Sequence, residues 1–62
     1  MRIDRDKAVA ILVDAGFKVF KLGKNLQITY DGKHVTTTRF KGNVRIKDLR
    51  YIYQLARMRG YF

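Results

Sequence analysis

Residues 26–38, LQITYDGKHVTTT, decide the fold. Leu26, Ile28 and Tyr30 alternate with Gln27, Thr29 and Asp31, the period-two pattern of a half-buried strand. Asp31-Gly32 follows, and both residues tolerate the positive φ that a two-residue hairpin turn demands. That turn pairs Tyr30 with Lys33, Ile28 with Val35 and Leu26 with Thr37 on one face. Gln27, Thr29, His34, Thr36 and Thr38 then fall on the opposite, hydroxyl-rich face, which meets solvent or a partner.

Upstream, a strand over about 17–22 turns at Gly23-Lys24-Asn25, and two registers are open to it. A two-residue turn buries Phe17 and Val19, whereas a three-residue turn buries Phe20 and Leu22. Before this strand, Asp4 is an N-cap with Ile3 placed as a staple. Ala8, Ile11, Leu12 and Ala15 keep the spacing of one helical face, and Gly16 closes the helix, which spans about 4–15. Residues 39–45, RFKGNVR, read as a loop. A second helix over about 46–59 has Leu49, Ile52, Tyr53 and Ala56 as its core face. The outcome is an α+β domain over residues 1–62 in the order α-β-β-β-α. Its three-stranded antiparallel sheet carries two helices packed on one face.

Charge supplies the functional clue. Fourteen Lys and Arg stand against five acidic residues, a formal net charge of +9 over 62 residues. Arg2, Arg5 and Lys7 are cancelled by Asp4, Asp6 and Asp14, so the excess lies after residue 14, where only Asp31 and Asp48 are acidic. Such a balance is the electrostatic footprint of a polyanion binder. Cysteine is absent, which excludes disulfides and thiolate metal sites, and one histidine makes no zinc site alone. No cofactor is expected. No apolar run reaches the ~18 residues of a membrane span, and the start MRIDRDK has no signal-peptide character. A cytoplasmic protein of bacterial or phage origin without membrane association is therefore expected.

The candidate contacts cluster late in the chain. Lys47, Arg50, Gln54 and Arg57 line one face of the second helix, where they suit a phosphate backbone. Arg39, Lys41 and Arg45 in the preceding loop add to them. Phe40 either stacks on a base or anchors the loop in the core. The sheet face of Gln27, Thr29, His34 and Thr36, continued by Thr38, is a secondary candidate, with Lys18 or Lys21 beside it. Tyr51, Leu55 and Met58 form a separate apolar strip on the second helix. That strip needs cover, from Tyr61-Phe62 folding back, from a protein partner or from a second copy in a homodimer.

Three strings, AILVDAGFKVFKLGKN (10–25), YDGKHVTT (30–37) and IKDLRYIYQLA (46–56), resemble the HicA toxin family across residues 6–57. Those proteins cleave messenger RNA and have a double-stranded-RNA-binding-like fold. The family places its catalytic histidine just after the glycine ending the first strand, as Gly-Ser-His. Here the stretch is Gly23-Lys24-Asn25, and asparagine cannot serve as a general base. His34 occupies a position the family fills with a base, and no neighbouring carboxylate orients its ring. The resemblance thus implies a nucleic-acid-holding fold without the cutting group, and no catalytic residue is assigned. The leading expectation is a non-catalytic domain that grips a DNA or RNA duplex. The alternatives are a phage or bacterial inhibitor or regulator acting on a host protein and, further off, a HicA-type ribonuclease.

Overall fold

Asp4 is where the chain turns from extended to helical. The computed structural model describes residues 2–61. In chain order its elements are β1 (Arg2–Asp4), α1 (Arg5–Asp14), β2 (Phe17–Leu22), β3 (Asn25–Tyr30), β4 (Lys33–Thr38), β5 (Asn43–Arg45) and α2 (Ile46–Met58). The Asp4 side chain accepts a hydrogen bond from the Lys7 amide at 2.7 Å, the bond its N-cap role requires. At the other end Gly16 has φ +101, and a Cβ there would lie 3.1 Å from Tyr30 Cε1. The position thus demands glycine for conformation and for space.

Of the two registers open to β2, the two-residue turn is the one formed, with Leu22 opposite Asn25 and Phe17 opposite Tyr30. Phe17 is 1% exposed and packs against the rings of Tyr30 and Tyr53 at centroid distances of 5.3 and 5.5 Å. This aromatic cluster rewards burial of Phe17 and leaves Phe20 and Leu22, at 49% and 54% exposure, on the outer face. In the next hairpin Asp31 and Gly32 take φ of 52 and 76, and Tyr30 faces Lys33 as the turn predicts.

Beyond Thr29 the expected pairing fails. A bulge intervenes, so Ile28 faces Thr36 and Leu26 faces Thr38, where an uninterrupted ladder gives Val35 and Thr37. The extra residue is Val35, which is fully buried. Thr36 and Thr38 consequently leave the outer face and sit half-buried beside α2, whereas Thr37 is exposed. His34 Nε2 lies 3.1 Å from Thr37 Oγ1. Strict alternation puts residues three apart on opposite faces, so this bond is the signature of the bulge.

The carbonyl oxygens freed at the bulge are taken up by the end of the chain. Arg59 donates through Nη1 to the carbonyls of His34 and Val35, and the Tyr61 hydroxyl donates to His34 O at 3.3 Å. A Schellman turn delivers these groups: Gly60 N–H donates to Arg57 O and Tyr61 N–H to Ala56 O, each at 3.0 Å. Lys33 Nζ lies 5.3 Å from the Tyr61 ring centre. Tyr61 therefore folds back onto β4 and not onto the Tyr51–Met58 strip; Phe62 lies outside the described residues.

The segment 39–45 is not wholly loop. Asn43–Arg45 forms β5 and pairs antiparallel with β1, Arg2 opposite Arg45 and Ile3 opposite Val44. Three-residue strands are too short to show a period, so sequence patterning gave no sign of them. The core joins Ala8 and Leu12 of α1 and Leu49, Ile52 and Ala56 of α2 to the inner face of the β2-β3-β4 sheet. Phe40 and Val44 complete it. Tyr53 is half-buried at its margin. Among the described residues no helix is long and apolar enough to cross a membrane.

Replacing Gly16 by alanine is expected to lower unfolding stability by about 1–3 kcal/mol, read from the urea midpoint. An unchanged midpoint would contradict the double constraint at this turn.

Candidate nucleic-acid interface

The short β1–β5 ladder creates a concentration of charge. Antiparallel pairing puts Arg2 directly opposite Arg45, and like charges in such a pair repel. Arg45 is also the N-cap of α2, with extended φ −82 and ψ 144 and no side-chain capping bond. Its side chain lies beside the first two turns of α2, which carry Lys47 and Arg50. These residues and Ile46 line one open concavity of about 520 Å³, with no carboxylate among the described residues of its wall.

Of the seven residues proposed from sequence, Arg45, Lys47 and Arg50 meet in this concavity. Arg57 is exposed two turns along the same helical face, at about 10 Å from Arg50 by helix rise. Lys41 is exposed in the loop. Arg39 is exposed too, but lines a separate concavity of about 250 Å³ with Thr36, Thr38, Asp48 and Tyr51. Phe40 requires correction as a stacking residue. Its side chain is 8% exposed and belongs to the core, because the bulge in β4 turns the following segment inward.

The secondary sheet face is rearranged in the same way. Gln27 and Thr29 are half-buried on the outer side and His34 is exposed there, but Thr36 and Thr38 have crossed to the α2 side. His34 bonds Thr37, a hydroxyl and not a carboxylate. The apolar strip narrows as well: Leu55 packs against the core, leaving Tyr51 at 58% and Met58 at 81% exposure.

Arg2 is the lining residue that sequence reasoning missed. Its charge balances nearby aspartates in the sequence, but the β1–β5 pairing carries it away from them to Arg45. That pairing joins segments about 40 residues apart and has no local signal.

Comparison with protein-family models, with curated proteins and with solved structures finds no match to this chain.

Phe40→Ala is expected to cost about 3–5 kcal/mol and to abolish the cooperative thermal transition. Tyr51→Ala, at an exposed site, should stay within about 0.5 kcal/mol. Equal effects by circular dichroism would contradict the placement of the two rings.

Proposed function

We propose that this chain is a non-catalytic nucleic-acid-binding domain that grips the phosphate backbone of a DNA or RNA duplex. The observation that carries this reading is the convergence of Arg2, Arg45, Lys47 and Arg50 on one concavity that no carboxylate of the described residues lines. Arg57 extends the same contact. The ~10 Å between it and Arg50 by helix rise lets the two side chains reach different phosphates of the backbone. Phosphate oxygens between these side chains relieve the Arg2–Arg45 repulsion and receive charge-assisted hydrogen bonds. The +9 charge adds long-range attraction.

The resemblance to the HicA family supports the same partner class. Asn25 at the family's histidine position supports binding without cleavage, since it has no group to take a 2′-hydroxyl proton. Among the described residues the His34 ring bonds the Thr37 hydroxyl and not a carboxylate that would orient it. An RNA duplex incubated with the protein is therefore expected to remain intact.

A second reading is a small phage or bacterial regulator that binds a host protein or a second copy of itself. Tyr51 and Met58, uncovered on α2, support it. A stoichiometric partner that survives nuclease treatment and is lost in Tyr51→Ala/Met58→Ala would favour this reading over the first.

The duplex reading is tested by affinity against salt. Five phosphate contacts predict a log–log slope between about −4 and −5, and Arg50→Ala should flatten it by about 1. A flat salt response, or Arg50→Ala binding with the parent slope, would overturn it.

A further inference from the structure

The outer face of the β2-β3-β4 sheet has no helix on it and is not a plain polar surface. The register sets Phe20, Gln27 and Thr37 in one cross-strand row, and Lys18, Thr29 and His34 in the next. Strand alternation turns all six side chains away from the core partners Phe17, Leu26, Ile28 and Val35. Phe20 stands 49% exposed at one end of its row, with Leu22 at 54% beyond it on the same strand. One exposed apolar residue is ordinary, but an aromatic and an aliphatic neighbour on an open sheet form a platform.

We infer that this face is a second binding surface, which takes single-stranded nucleic acid with Phe20 as the stacking platform. It shares the polyanion partner proposed above but uses a different surface, across the sheet from α2. Charge selects the partner class. Lys18 lies on the face, and Lys24 lies in the β2–β3 turn at its end. Of the five aspartates, Asp4, Asp6 and Asp14 lie with α1 and Asp48 on α2; Asp31, in the hairpin turn, lines a concavity with Lys18 at one end of the face, away from Phe20. A second copy docking here would bring +9 against +9.

Geometry selects a single strand over a duplex. Bases in a duplex already stack on one another and present only their edges, whereas an unpaired base offers its face to an aromatic ring. Phe20 gives that ring. Gln27, adjacent in the row, has both amide donors and a carbonyl acceptor for a base edge. His34, two strands away at roughly 10 Å, offers a second ring to the next base. The His34–Thr37 bond fixes that ring in place on the platform.

The test is fluorescence anisotropy with labelled oligothymidylate and a labelled duplex, for the parent, Phe20→Ala, Phe20→Leu and Arg45→Ala/Arg50→Ala. Phe20→Ala should weaken single-strand binding roughly tenfold or more and leave duplex binding within about twofold. Phe20→Leu keeps the apolar bulk of the site without the ring, and should show the same selective loss even where the alanine variant fails to fold. The paired arginine variant should lose duplex affinity predominantly. Single-strand affinity undiminished by Phe20→Leu would overturn the platform. So would a dimer, seen by sedimentation at low salt, that either Phe20 variant dissolves. Loss of duplex binding in the parent with Phe20-dependent single-strand binding intact would sink only the duplex reading.

Discussion

One extra residue in β4 governs where the side chains of residues 36–41 point. Val35 is held in the core, and the bulge it makes moves Thr36 and Thr38 to the α2 side and Thr37 to the outer face. The chain then enters the 39–42 segment one residue out of phase, which buries Phe40 and leaves Arg39 and Lys41 in solvent. A bulge exposes carbonyls that a regular ladder would pair, and buried or half-buried carbonyls need donors. Arg59 and Tyr61 supply them. The end of the chain thus fixes the register of a strand some 25 residues earlier, and an arginine that adds to the net charge is committed to structure.

The remaining charge is divided by the same economy. Asp4 caps α1 beside Arg5, and Asp31 in the hairpin turn lies by Lys18, so both sit away from the Arg2–Arg45 pair. Arg2 and Arg45 are forced together by a three-residue ladder that also buries Val44. A domain this small has a thin stability margin, and close like charges reduce it further. An anion bound between them acts in the opposite direction, because a ligand that binds only the folded chain stabilises it by mass action. Fold and proposed function are linked at this point.

Much of the architecture was legible because its signals are local. The Asp4 cap, the Ala8–Leu12 face, the Asp31-Gly32 turn and the Leu49–Ala56 face each lie within a few residues, and each formed as the pattern required. The illegible parts depend on distant partners. The β2 register was settled by Phe17 meeting Tyr53 of α2, and the bulge by a carbonyl-binding arginine near the other end. The β1–β5 pairing joins segments about 40 residues apart. The candidate site followed the same division. Lys47 and Arg50 were readable from helix spacing and Arg45 from the basic segment before it, whereas Arg2 and the exposure of Phe20 emerged only from tertiary pairing.

The protein that results has two unlike surfaces: a cationic concavity at the start of α2 and an open sheet face centred on an aromatic ring. Both suit nucleic acid, one through phosphates and the other through bases. The central claim concerns the first. It is tested most directly by mapping backbone amide shifts during titration with a short duplex at low and high salt. The account predicts the largest changes at Arg2, Arg45, Lys47 and Arg50, extending to Arg57 and collapsing at high salt. Changes confined to Tyr51 and Met58, or none at either salt concentration, would contradict it.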